Sequence, residues 1–200
     1  ATLNLTAREI LELGPGSVIP LGKPLGGQVE LVASGRVVAR SSYACLRATQ
    51  RGAALPLLDE VLREFGSAWL DIELKAPGIE APVLELAVKF CRPGRFVITS
   101  FSREVVARVK ELDSSAPTGW LLRRPVHPRL WQELNLDYLA PHYRALRRPL
   151  VAAARGRGLR VITWTVTSPR VLRRVLELGV DIVISDRPDA ALALARSLGR

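Results

Sequence analysis

Methionine is absent from the 200 residues, and cysteine and histidine occur only twice each. Cys45 and Cys91 lie far apart and form neither a CxxC pair nor a metal-spaced cluster. They therefore read as reduced, buried thiols, which favours an intracellular, cytoplasmic setting. No run approaches the roughly 18 consecutive apolar residues of a membrane-spanning helix. The opening stretch, Ala1 to Thr6, has neither a charged leader nor an apolar run, so no signal peptide is expected. The lack of Met fits either removal of an initiator before Ala1 or a missing N-terminal segment. Lysine is scarce as well, with 4 against 25 Arg in a chain of net charge +10. No basic block or aromatic-interleaved patch stands out, so nucleic acid is not an expected partner. The charges are spread over many helices and read as solvated faces. The arginine excess nevertheless suits a phosphate-bearing ligand, whose oxygens match the guanidinium fork.

What the chain does contain is alternation. From residue 68 onward, short apolar or β-branched runs (Ala68–Lys75, Arg95–Ser100, Thr118–Leu122, Tyr138–Ala140, Arg160–Val166, Asp181–Ser185) alternate with helical spacing. The helices are expected at Ala81–Phe90, Arg103–Leu112, His127–Leu134, Arg147–Arg157, Pro169–Leu178 and Pro188–Leu198. Gly158 and Gly179 follow helices at positions where a left-handed cap needs glycine. Six βα units in tandem predict an α/β fold with a parallel sheet and helices packed outside it. Residues 1–67 break the theme: a short helix opens at Leu5–Glu9, and Pro15–Gly27 is loop. Gln28–Arg40 is a hairpin turning at Ser34-Gly35, and Leu57–Phe65 is helical. Residues 1–200 are read as one domain, with 1–67 an irregular hairpin region and 68–200 the six units. An open six-stranded sheet would be complete, whereas a closed barrel needs two more strands.

The most informative stretch is Trp69-Leu70-Asp71-Ile72-Glu73-Leu74-Lys75. Strand alternation places Leu70, Ile72 and Leu74 on one face and Asp71, Glu73 and Lys75 on the other. In a barrel the charged face points inward at the C-terminal end, where active sites collect. Buried carboxylates and ammonium groups are costly unless paired or bound to a metal or anion.

Ile72-Glu73-Leu74-Lys75 resembles the third-strand motif of glycerophosphodiester phosphodiesterases. Further stretches are similar to that family in the same order. These are Leu58–Leu62, Thr99-Ser100-Phe101, Thr163-Trp164-Thr165-Val166, Gly179-Val180-Asp181, and Ser185 through Asp189. Leu5–Glu9 suits the helix that follows the family's substrate-binding loop. The resemblance implies a TIM-type (β/α) barrel that lacks its first two βα units, since six plus two is eight. It also implies metal-dependent hydrolysis of glycerophosphodiesters to sn-glycerol 3-phosphate and an alcohol.

By the same resemblance, Glu73 is a divalent-metal ligand and Lys75 faces the substrate phosphate, and both are catalytic. Trp164 and Phe101 join Lys75 in binding substrate, while Ser100 and Asp186 are supporting. His142 matches neither family histidine, but it follows Pro141 at the end of the Tyr138–Ala140 strand and is expected at the mouth as a substrate-binding residue. The family's His-Arg-Gly strand, Glu-x-Asp strand and His-Asp pair have no counterpart here. Those motifs supply the catalytic histidines, a phosphate-binding Arg and two of three metal carboxylates. The remaining ligands for Mg²⁺ or Ca²⁺ are therefore expected from missing N-terminal units, and the 200 residues alone are expected to be inactive. Open strand edges would invite a homodimer. The rival readings are a non-catalytic barrel that binds phosphate-bearing ligands, a nucleic-acid-binding or scaffold protein, or another phosphodiesterase such as a phospholipase acting on inositol or sphingolipids.

Overall fold

Side-chain alternation along six parallel strands organises the chain in the computed structural model, which describes residues 28–33, 36–42 and 57–199. The molecule divides into two units. One comprises residues 1–68 with 85–92, and the other residues 69–84 with 93–200. In the first unit, β1 (Gln28–Ala33) and β2 (Arg36–Ser42) pair antiparallel across a two-residue connection. This is the hairpin expected at Ser34-Gly35. The helix α1 (Leu58–Phe65) starts where the Glu60 carboxylate accepts from the Leu57 backbone N–H at 2.7 Å. That contact satisfies one of the donors a helix start leaves free. The expected Leu5–Glu9 helix, the Pro15–Gly27 loop and Cys45 lie outside the described residues. Cys91 is buried and carries a free thiol.

The second unit holds β3 (Leu70–Glu73), β4 (Phe96–Ser100), β5 (Thr118–Leu122), β6 (Tyr138–Pro141), β7 (Arg160–Thr163) and β8 (Ile182–Val183). These strands form one sheet in the order β3-β4-β5-β6-β7-β8, and every pair is parallel. A doubly wound sheet reverses its strand order at a switch point, whereas a barrel wall never does. The sequential order therefore decides between the two architectures that the sequence leaves open. Between the strands run α2 (Glu80–Phe90), α3 (Arg103–Leu112), α4 (Pro128–Gln132), α5 (Arg148–Arg155) and α6 (Pro169–Glu177), and α7 (Pro188–Ser197) ends the chain.

Local chemistry explains where these helices begin and end. Ser102 caps α3 by accepting from the Val105 N–H at 3.2 Å. Pro149, Pro169 and Pro188 occupy the first turns of α5, α6 and α7, where a missing N–H costs nothing. Gly158 and Gly179, at φ of 75° and 81°, turn the chain back toward the next strand. The strand expected over Arg160–Val166 stops pairing regularly at Thr163. Trp164 instead makes a single bridge to His142, and Val166 donates to the Ile184 carbonyl at 2.9 Å.

The two faces of the sheet have different roles. Trp120, Leu122, Leu139 and Val161 pack with Val106, Val151, Leu172 and Val175 of α3, α5 and α6 to form the main core. The other face gathers Val97, Leu121, Tyr138, Ala140 and Ile162 into a second cluster with no helix in it. Side chains of neighbouring strands filling their own concave side is how a barrel interior packs. At the N-terminal ends of the strands, Asp137 accepts from the Thr118 N–H at 2.8 Å, and Asp181 accepts from the Val161 N–H at 2.7 Å. Each carboxylate thus caps the neighbouring strand. The half-buried Lys110 side chain pairs with Asp137 at 2.8 Å. The contacts at this end of the unit tie neighbouring strands together.

Candidate active site

Strand β3 presents its charged residues on the face predicted from the sequence. Ile72 and Leu74 are buried, while Glu73 and Lys75 form an ion pair with Nζ to Oε1 at 2.8 Å. Asp71 lies on the same face, where its Oδ1 accepts from the fully buried Thr99 hydroxyl at 2.7 Å. Burial among neighbouring atoms pushes the Asp71 carboxyl up to about 6. The Thr99 hydroxyl opposes that rise, the Glu73 charge adds to it, and Lys75 lowers it. More than a third of the residue is nevertheless open to solvent, and water reaching the carboxylate relieves much of the penalty.

A folded-state value above the unfolded one means that the native state binds the extra proton between about pH 4 and 6. Stability from this group is therefore lost as pH rises through that window. Asp71→Asn keeps an acceptor for Thr99 and removes the charge. It should raise stability at pH 8 by roughly 1 kcal/mol after allowance for solvent, with the gain vanishing near pH 4. Thermal melts of both proteins at the two pH values check this, and an equal gain at both would contradict it.

The next strands add an aromatic wall at the same end of the sheet. Phe101 follows β4, and its ring meets Trp164 edge-on with centroids 5.4 Å apart and planes at 87°. Trp164 meets His142 at 4.8 Å and 74°. Both large aromatics are held in place. The Trp164 indole donates to the Ala140 carbonyl at 2.8 Å, and the Trp120 indole donates to the Phe101 carbonyl at 3.1 Å. Ser100 spends its hydroxyl on structure, donating to the Leu74 carbonyl at 2.6 Å and accepting from the Ser102 N–H at 3.1 Å. Asp186 is exposed beyond β8.

His142 is half-buried at the end of β6, and its Nδ1 accepts from the Arg144 N–H at 3.2 Å. Burial first, and then the Arg144 and Arg123 charges, hold its pKa below the ordinary imidazole value. The ring is thus neutral at pH 7 and offers an Nε2 donor rather than a transferable second proton. His127 is the N-cap of α4, where its Nδ1 accepts from the Arg129 N–H at 3.3 Å.

Sequence reasoning singles out Glu73, Lys75, Phe101, His142 and Trp164, and all five stand at the C-terminal ends of β3, β4, β6 and β7. It misses Arg123, whose guanidinium carbon lies 4.6 Å from the Phe101 ring centroid. Parity could have found it, because Gly119, Leu121 and Arg123 alternate onto one face once β5 is extended by a residue.

A divalent cation wants about six oxygen ligands. Among the described residues there is no group of three or more acidic, His or Cys side chains that could hold one. The Glu73 carboxylate already faces an ammonium group. The described residues by themselves do not make a cation site.

The model of the glycerophosphoryl diester phosphodiesterase family matches residues 47–190. The chain belongs to this family. Probable glycerophosphodiester phosphodiesterase 2 of Mycobacterium tuberculosis is 30% identical over an alignment of 171 residues that covers 76% of this chain and 65% of that protein. The glycerophosphodiester phosphodiesterase of Bacillus subtilis is 31% identical over 155 residues, covering 69% of this chain and 53% of the relative. The chain thus spans less than two thirds of either relative's length. A glycerophosphodiester phosphodiesterase structure from Parabacteroides distasonis superimposes with a TM-score of 0.68 at 21% identity, covering 84% of this chain and 76% of that one. An Oleispira antarctica phosphodiesterase in complex with sn-glycerol 3-phosphate superimposes with a TM-score of 0.63 at 19% identity, covering 73% and 63%. At those identities the structures establish the TIM-type (β/α) barrel fold. A second model, that of the type III flagellar switch regulator (C-ring) FliN C-terminus, matches residues 1–44. The Leu5–Glu9 stretch falls there and outside the phosphodiesterase match.

Proposed function

We propose that this chain forms part of the barrel of a phosphoric diester hydrolase that converts glycerophosphodiesters to sn-glycerol 3-phosphate and an alcohol. The observation that carries the reading is the Glu73–Lys75 pair at the C-terminal end of β3, with Phe101, His142 and Trp164 at the same ends of the neighbouring strands. Lys75 supplies positive charge to the phosphodiester as charge builds on its oxygens, a form of preorganised electrostatic stabilisation. Glu73 orients the ammonium and is the carboxylate this chain offers to a shared Mg²⁺ or Ca²⁺ site. Trp164 and Phe101 give the organic part of the substrate an apolar wall, and the His142 Nε2–H is a donor toward it.

Support for the reading comes from the family membership and from the named activity of the relatives. The N-terminal match supports reading residues 1–44 as a module of separate ancestry preceding the barrel segment. The edge strands β3 and β8 have no further partner among the described residues, and such edges recruit more strands, from the same polypeptide or from a second copy. No described helix is long and apolar enough to cross a membrane. A cytoplasmic setting is supported by the free thiol of Cys91.

The test is release of sn-glycerol 3-phosphate from glycerophosphocholine by the full-length protein, with and without a chelator. The 200-residue chain is assayed in parallel. Chelator-sensitive turnover by the full-length protein and none by the chain alone is the expected result. Ordinary turnover by the chain alone would refute the assignment of the remaining ligands to other segments. Saturable, metal-independent phosphate binding without turnover in both would favour a non-catalytic binding protein. That second reading draws on the missing carboxylate cluster among the described residues.

A further inference from the structure

The wall between β4 and β7 is aromatic, with Phe101 against Trp164, Trp164 against His142 and His142 against Tyr143, yet cations already occupy two of its faces. Arg123 lies over the Phe101 ring at 4.6 Å, and Arg144 lies over the Tyr143 ring at 5.6 Å. A quaternary ammonium group binds by taking an aromatic face. Here it would have to displace a guanidinium and then sit beside it. Both arginines are exposed, and among the described residues neither has a carboxylate within ion-pair distance. Lys75, by contrast, is neutralised by Glu73 at 2.8 Å. The strand ends therefore divide into two halves. Beside β3 two carboxylates face the single ammonium of Lys75, while beside β5 and β6 two guanidinium groups have no carboxylate partner among the described residues.

That platform is rigid, because hydrogen bonds to the Ala140 and Phe101 carbonyls fix Trp164 and the Phe101 backbone. Stacking holds the Arg123 fork in one place, so less rotamer freedom is lost when it meets an anion.

We propose that Arg123, with Arg144, forms a subsite that selects substrates whose alcohol portion carries a phosphate or carboxylate over those whose alcohol carries a quaternary ammonium. This rests on the reading of Glu73 and Lys75 as the seat of the scissile phosphate. Arg123 is then a specificity residue for the part of the substrate beyond it. Two like charges at contact distance, largely in water, differ from two opposite charges enough to produce about a tenfold preference.

The experiment compares kcat/KM of the full-length protein for glycerophosphoinositol phosphate and glycerophosphocholine, with calorimetric titration of the same two compounds alongside. The anionic ester should be favoured by about tenfold or more. Arg123→Gln should remove most of that ratio, and Arg123→Lys should keep most of it. A wild-type preference for the choline ester overturns the proposal. So does a Gln variant that lowers both esters equally, which would place Arg123 on the scissile phosphate instead. If neither ester is hydrolysed, the hydrolase reading fails separately and calorimetry decides the subsite. Binding of the anionic compound that is lost in Arg123→Gln supports it, and equal or absent binding of the two compounds overturns it.

Discussion

Lys75→Ala in the full-length protein should lower kcat/KM for glycerophosphodiesters by about 10²- to 10³-fold, the usual effect of deleting one preorganised charge or donor aimed at a developing oxyanion. The side chain is 61% exposed, and among the described residues its ion pair is with Glu73, so its loss should leave the fold intact. An unchanged melting temperature together with a collapsed rate would separate a role in the reaction from a role in folding. Lys75→Arg should recover part of the rate, because a guanidinium keeps the charge but not the compact geometry of an ammonium. Glu73→Gln removes the anchor and should fall in the same range. A Lys75→Ala protein that turns over near the normal rate would sink the assignment of this residue to the phosphate. The Glu73–Lys75 pair would then be a surface ion pair of little consequence.

Leu139→Ala should produce the largest loss of stability. Leu139 is fully buried in β6 and packs in the core between the sheet and helices α3, α5 and α6. Its neighbours there include Trp120, Trp131 and Val161, which belong to separate elements and cannot close around a void together. Truncating a leucine in such a site costs about 3–5 kcal/mol, from lost transfer energy and from the cavity left behind. Urea unfolding of both proteins measures the difference directly. Leu130→Ala serves as the comparison: that side chain is 40% exposed, and its loss should cost under about 1 kcal/mol. Equal losses at the two positions would mean that the face of β6 carrying Leu139 is not the core.

The role proposed for Lys75 and the packing around Leu139 belong to opposite faces of the sheet, and the two faces differ in how legible they are in the sequence. Core positions announce themselves by period: Ile72 and Leu74 alternate with Asp71, Glu73 and Lys75, and burial follows that alternation. The Ile-Glu-Leu-Lys run is assignable to an interior face because charge at every second position of an apolar strand is costly there unless it meets a partner or a ligand. Arg123 and Asp71 are harder. Arg123 lies one residue past the regular pairing of β5, in a run Arg123-Arg124-Pro125 that reads as an ordinary basic loop. Strand parity alone sets it apart from Arg124, and its position over Phe101, a residue 22 places earlier in the chain, fixes its place. Asp71 falls on the expected face, but its raised pKa depends on Thr99 and on crowding by a neighbouring strand.

The sequence by itself determined the number and order of the βα units, the hairpin at Ser34-Gly35, the inward face of β3 and the family to which the chain belongs. All of these are local: period, cap and turn chemistry, and short motifs are set by residues within a few positions of each other. The tertiary structure alone decided that the strands lie in sequential order, as a barrel wall requires. It also decided that Phe101, Trp164 and His142 interlock, and that Arg123 covers the Phe101 face. Those facts depend on contacts between residues separated by 20 or more positions. Parallel strands are joined only through long crossovers, so neighbours across the sheet are never neighbours in the chain.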